Sequence, residues 1–198
     1  MHALIVSAHP DGNSHTQAVA AHVASGIQAG GIHSVEQINL ADEQFDPRFN
    51  QADYAQFSQR AALPADVVAE QARLDRANAL VLVYPIYWWS FPAQLKGWID
   101  RVFTQDWAYY EDGDRVTGKL GHLQVHLLAL GAASPRTYVR HGYFSSMRTQ
   151  IDHGIFDYCG APVMTSELLL PSDEHFPDAH YRLAHNLGRQ LFNTKEPA

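Results

Sequence analysis

Residues 79–85 read ALVLVYP, an uncharged run, and IYWWSFPAQLKGWIDRVF follows at once. A segment that apolar and that short fits a strand buried on both faces, the condition of a central strand in a parallel sheet. Such a strand needs a crossover, and Pro92 followed by Leu95, Trp98, Ile99 and Val102 at helical spacing supplies one. Turns between strand and helix normally use small or polar residues. This one is crowded with Tyr84, Tyr87, Trp88, Trp89 and Phe91. An aromatic turn at the carboxyl end of a parallel strand suits one wall of a slot for a flat conjugated molecule. That points to a flavin and to redox chemistry.

The rest of the chain repeats the pattern. Residues 3–8 (ALIVSA) form a second doubly buried strand, and a helix over 14–29 follows it. Strands are expected at 33–39, 122–130 and 163–170, and helices over 64–77, 139–158 and 178–192. Two stretches stand out as long connections: 40–63, read as a functional or partly helical excursion, and the polar, aromatic loop 104–119. Strands alternating with helices give an α/β, doubly wound, five-stranded parallel sheet in one domain over residues 1–198. Of the two common orders, the flavodoxin-like 2-1-3-4-5 suits five strands. In that order a ligand crevice opens above the carboxyl ends of strands one, three and four, which is where the unusual loops fall.

Composition narrows the function. A formal charge of −7, with the 14 Lys and Arg scattered, argues against nucleic acid. A single cysteine, Cys159, rules out an internal disulfide framework and fits a reducing cytoplasm. The chain begins MHALIVSAHP and has no 18-residue apolar run, so a soluble cytoplasmic protein without a transmembrane segment is expected. Twelve histidines invite a metal, but none forms HExxH, and His175, His180 and His185 recur every five residues, off any one helical face. No metal site is expected.

The first loop, His9-Pro10-Asp11-Gly12-Asn13-Ser14-His15-Thr16-Gln17, feeds a helix N-terminus, a place that favours an anion such as phosphate. It has neither a GxGxxG nor a GK[ST] motif, so a dinucleotide-binding Rossmann site and a P-loop are both disfavoured. The loop after strand four, Gly131-Ala132-Ala133-Ser134-Pro135, is built of small residues that let backbone N–H groups approach a ligand.

At this point the sequence resembles the flavodoxin-like NAD(P)H:quinone oxidoreductases (the DT-diaphorase family). SAHPDGNSHT (7–16), NLADEQFDP (39–47), LPADVVAEQARL (63–74), YPIYWWSFPAQLKGWIDRVF (84–103) and DYCG (157–160) carry the likeness in order along the chain. The resemblance implies that His9, Ser14, His15, Thr16 and Gln17 hold the flavin phosphate or pyrophosphate. It implies that Pro85, Ile86, Tyr87, Trp88 and Trp89 line the isoalloxazine edge, and that Asp100 stands where the family has an acidic residue near adenosine. Ala129, Leu130, Gly131 and Ala132 replace a Thr-Thr-Gly-Gly-like stretch, so backbone contacts survive there and hydroxyl contacts do not. Tyr138 matches the family's active-site tyrosine; the histidine about six residues on is missing, which leaves His141 and Tyr143 as candidates. Trp107 and Tyr109 match a segment that closes over the substrate, at a site lying on a homodimer interface.

The expected function is flavin-dependent NAD(P)H:quinone oxidoreduction, with two-electron, ping-pong hydride transfer from NAD(P)H to quinones or similar flat electrophiles. FAD is the expected flavin, with FMN the alternative. Two other readings share the fold: a one-electron flavodoxin-type carrier and a flavin-binding regulatory subunit of a membrane transporter.

Overall fold

The computed structural model describes residues 1–172 and 174–193. Five parallel strands form one sheet: β1 (His2–Ser7), β2 (Ser34–Asn39), β3 (Ala79–Pro85), β6 (Gln124–Leu130) and β7 (Val163–Leu169), in the order β2-β1-β3-β6-β7. Renumbered without the hairpin described below, this is 2-1-3-4-5. β3 sits at the centre with its first six residues fully buried, as its uninterrupted apolar composition requires.

Helices cover both faces. α1 (His15–Gly30) and α7 (Asp178–Gln190) pack together on one side, over Ala3, Ile5, Val81, Val83 and Leu128. Between the strands' opposite face (Leu4, Val6, Leu80, Leu82, Leu127) and solvent lie α3 (Ala65–Arg76), α4 (Ala93–Val102) and a helical stretch before β7. Alternate side chains of each strand therefore enter different cores.

One long connection is partly helical, a form expected of it, and two others differ from the sequence expectation. The excursion 40–63 contains a short helix, α2 (Gln51–Phe57), started by a reciprocal capping box between Asn50 and Asp53. The loop 104–119 folds into an antiparallel hairpin, β4 (Tyr109–Asp112) with β5 (Arg115–Gly118), outside the main sheet. The expected helix 139–158 is three pieces: α5 (Pro135–His141), α6 (Tyr143–Arg148) and a π-helical continuation, Thr149–Asp157. Gly142, with φ +67°, takes the left-handed conformation that separates the first two.

The block LKGWIDRVF fastens the excursion to the body. At Gly97 a Cβ would strike the carbonyl of Pro47, so only glycine lets this loop lie on α4. One turn on, the buried Arg101 guanidinium donates to Asp53 (2.9 Å), to Asp66 (2.6 Å) and to the Asp46 carbonyl (2.8 Å). The Trp98 indole N–H donates to Glu70 of α3 at 2.9 Å. Burial raises the Glu70 carboxyl above its ordinary range, and the Trp98 and Arg73 contacts oppose that shift. Among the described residues no helix is long and apolar enough to cross a membrane.

Candidate functional site

Three loops meet over the carboxyl ends of β1, β3 and β6, where neighbouring connections leave in opposite directions and a crevice opens. The first loop is shaped by short local bonds. Ser14 caps α1, its Oγ accepting from the Gln17 N–H at 3.3 Å. The Asp11 carboxylate accepts from the Asn13 N–H at 2.9 Å, and the Ser14 N–H bonds the Asp11 carbonyl at 3.1 Å.

Asn39, at the end of β2, clamps the loop's start. Its Oδ1 accepts from the His9 N–H (3.2 Å) and its Nδ2 donates to the His9 carbonyl (3.0 Å). Sequence reasoning missed this residue; its signal was an amide at the end of a strand beside the crevice. The loop's own donors fit an anion. Thr16 is buried, and the Gln17 carboxamide, tied through Oε1 to the Ser7 hydroxyl at 3.0 Å, leaves Nε2 buried without a protein partner. A buried amide donor beside a helix N-terminus is costly unless an acceptor arrives, which a phosphate provides.

The second loop leaves β3 through Pro85, and the Ile86 N–H bonds the Leu130 carbonyl at 2.8 Å, tying it to β6. A tight turn follows, closed by paired bonds between Tyr87 and Ser90. Its two central residues are Trp88 and Trp89, with φ of +50° and +61°. Consecutive left-handed tryptophans are strained conformations that cluster at functional sites. Trp88 is 92% exposed, while Trp89 turns inward. The Ser90 hydroxyl donates to the Gln150 side chain at 2.9 Å and so anchors the turn on the π-helix.

Trp89 stacks on Tyr143 and meets Tyr138 edge-on, with ring centroids 5.4 Å apart. Tyr143 stands between Trp89 and His141, whose exposed ring stacks on its outer side at 5.2 Å. Of the two candidates, Tyr143 is the one that touches the aromatic turn. Tyr138 is 2% exposed and its hydroxyl packs against Gly131, where a Cβ would strike it. Burial raises the Tyr138 pKa, so the phenol stays protonated. It braces the third loop from beneath.

In that third loop the Gly131 N–H is already bound to the Leu169 carbonyl at 2.9 Å, and Ala129 is buried within β6. The expected donors therefore move one step along: Ala132 and Ala133 face the slot, with Ile86, Trp88, Trp89 and Tyr138 as the other walls. Small side chains, a planar aromatic wall and a donor-rich phosphate loop together fit a flavin nucleotide.

Four expected site residues lie elsewhere in the chain. The His15 side chain turns away from the loop, toward α7. Asp100 pairs with Lys96 at 2.6 Å on the outer face of α4. Trp107 donates its indole N–H to Asp75 at 3.0 Å, near the end of α3, and Tyr109 packs near Tyr158. The reason is topological. α4 runs antiparallel to β3 and returns the chain to the amino edge of the sheet, so everything from Asp100 to Tyr109 is carried away from the slot of its own chain. Among the described residues no group of three or more His, Cys, Asp or Glu is placed to hold a metal ion.

A five-stranded sheet in this order, with its crevice at the switch point, defines the flavodoxin-like class. The profile of the flavodoxin-like fold family matches residues 1–187. An uncharacterised NAD(P)H oxidoreductase of Haemophilus influenzae is 29% identical over 185 residues, covering 93% of this chain and 90% of the relative. NAD(P)H dehydrogenase (quinone) 1 of Rattus norvegicus is 26% identical, over 96% of this chain and 76% of its own length. The structure of an NAD(P)H:quinone oxidoreductase from Methanothermobacter marburgensis superposes with a TM-score of 0.85 at 27% identity, covering 96% of this chain and 98% of the other. The chain belongs to the flavodoxin-like NAD(P)H:quinone oxidoreductase family, a family of NAD(P)H-dependent flavoenzymes.

Proposed function

We propose that this protein is a flavin-dependent NAD(P)H:quinone oxidoreductase acting on quinones or similar flat electrophiles. The observation that carries the reading is the slot between Trp88, Trp89 and the Ala132–Ala133 backbone, beside a phosphate-competent loop. The two-electron exchange between NAD(P)H and a quinone is chemistry that a flavin supplies when bound, the two partners using one slot in turn.

The residues divide that work. Ser14, Thr16 and Gln17, with the loop started by His9, hold the cofactor phosphate. Pro85, Ile86, Tyr87, Trp88 and Trp89 set the plane of the ring and exclude water from one side. Ala132 and Ala133, which line the slot, would bring backbone N–H groups near a bound flavin and favour negative charge on it. Tyr143, with His141 behind it, stacks on Trp89 and so backs the slot wall.

We read the cofactor as FAD, with FMN the alternative. A cleft between α1 and α7, lined by His22, Ser25, Tyr181 and Arg182, gives room for an adenosine beyond the phosphate loop. Because Asp100, Trp107 and Tyr109 lie away from their own chain's slot, a role for them at the ring or substrate requires a second copy. A homodimer in the cytoplasm completes the reading.

Purified protein tests it. The chromophore, extracted and weighed by mass spectrometry, should be FAD, and the protein should oxidise NADH or NADPH steadily with a soluble quinone. Such turnover excludes the carrier reading, whereas copurification with a membrane complex, alongside weak turnover, would favour the transporter subunit. Folded, colourless protein that takes up neither FAD nor FMN would sink the proposal.

A further inference from the structure

His15 is the first residue of α1, next to the cap residue Ser14. Its side chain crosses to α7, where Nε2 lies 2.9 Å from Nδ1 of His180 and Nδ1 lies 3.3 Å from the Tyr181 hydroxyl. His180 is 2% exposed, and its Nε2 stands 3.1 Å from the Leu170 carbonyl, just past the carboxyl end of β7. A carbonyl only accepts, so His180 Nε2 carries a proton. One proton then lies between the two rings, giving one chain of bonds among these groups. It runs from the Tyr181 O–H to His15 Nδ1, from His15 Nε2–H to His180 Nδ1, and from His180 Nε2–H to Leu170. Burial, and secondarily the neighbouring His180, lower the His15 pKa, in keeping with a neutral ring.

Farther along, α1 and α7 meet through Val19, Val23, Ile27, Leu183, Ala184 and Leu187, with the His22 ring stacked on Tyr181. The two bonded imidazoles stand at the one end of α1 that bears the phosphate loop. We propose that the His15–His180 bond is a positioning contact for the cofactor phosphate. It ties the first turn of α1 to the first turn of α7, so that the backbone N–H groups of His15 and Thr16 are held still before the ligand arrives. This rests on the flavin reading above and assigns the pair a role in nucleotide affinity, with no part in electron exchange.

Two amide variants separate the bonds. His180→Gln places an amide where Nε2 was and keeps a donor for Leu170, but it loses His15. His180→Asn places one where Nδ1 was and keeps a partner for His15, but it loses Leu170. Flavin-free protein is titrated with FAD, FMN and riboflavin by fluorescence quenching, alongside the melting temperature. His180→Gln should weaken FAD and FMN about tenfold, the worth of one well-placed hydrogen bond, with riboflavin affinity unchanged because it lacks the phosphate. His180→Asn should stay within about twofold of wild type. His15→Phe, which keeps the ring and removes its nitrogens, should reproduce the phosphate-specific loss and serves if His180→Gln fails to fold.

Equal nucleotide binding in wild type, His180→Gln and His15→Phe overturns the proposal alone. So does a loss shared equally by riboflavin, or an Asn variant as impaired as Gln. Wild-type protein that binds neither nucleotide removes the flavin reading and this proposal with it.

Discussion

The rings of Trp89 and Tyr143 lie face to face, 3.7 Å between centroids and 12° between planes, although they come from the loop after β3 and the start of α6. One face of the tryptophan is thereby taken, and its position no longer depends on the strained turn that carries it. A proton donor and a stacking wall make different demands on residue 143. Tyr143→Phe should hold kcat/KM for a soluble quinone within about twofold, while Tyr143→Ala should lower it about five- to tenfold, the value of an aromatic pair. Steady-state kinetics decide it: a Phe variant as poor as Ala would make the hydroxyl the active part.

Trp88 sits at φ +50° with its side chain almost wholly in solvent, so the fold bears a conformational cost there for little packing in return. Trp88→Gly should raise stability by about 1 kcal/mol in urea unfolding and lower acceptor kcat/KM at the same time. Stability that falls on substitution would mean that the exposed indole packs against something the fold needs.

Arg101 joins Asp53, Asp66 and the Asp46 carbonyl from inside the protein. Arg101→Met leaves the buried Asp53 carboxylate without its cation and should cost about 3–5 kcal/mol by denaturant unfolding. The double variant Arg101→Met, Asp53→Leu should recover part of that loss, because the stranded charge is gone. Protease cleavage within residues 40–63 should rise in the single variant, marking the excursion as the part released.

His126 is buried on β6, with Nδ1 3.1 Å from the Thr165 hydroxyl, and burial pushes its pKa down to about 4. The unfolded chain binds this proton near pH 6.5 and the native one resists it until about 4, so the unfolded state holds more protons across that interval. Stability therefore rises with pH through this window and is lost as pH falls through it, by about 3 kcal/mol at most. His126→Asn, which keeps an amide near Thr165, should flatten the curve of unfolding free energy between pH 6.5 and 4. An unchanged slope would assign the acid sensitivity to other groups.

The sheet was legible in the sequence because doubly buried strands are short, apolar and punctuated, and the crevice followed from strand order. ALVLVYP marked β3 to the residue. The loops after β1, β3 and β6 were also readable, since they fall where the chain leaves the sheet. Distance along a helix is harder to read: Asp100, Trp107 and Tyr109 follow the aromatic turn closely in sequence, yet α4 carries them away from the slot of their own chain. The rule that a crossover helix reverses direction was available and would have placed them. The His15–His180 bond and the Asn39 clamp were not legible, because they join residues far apart in sequence that no periodicity links. The break at Gly142 was hidden because the apolar pattern on both sides of it is helical.

The excursion is held through the bare α-carbon of Gly97, the reach of Arg101, the Arg73–Glu43 pair and the packing of Phe45 on the core. Phe49, Tyr54 and Phe57, each at least half exposed, line a cleft with Asp100, Phe103 and Tyr109. A segment mounted like this is an exchangeable fitting. Homologues that keep the socket are free to recast the outer aromatic surface, and whatever it recognises, without renegotiating the packing beneath.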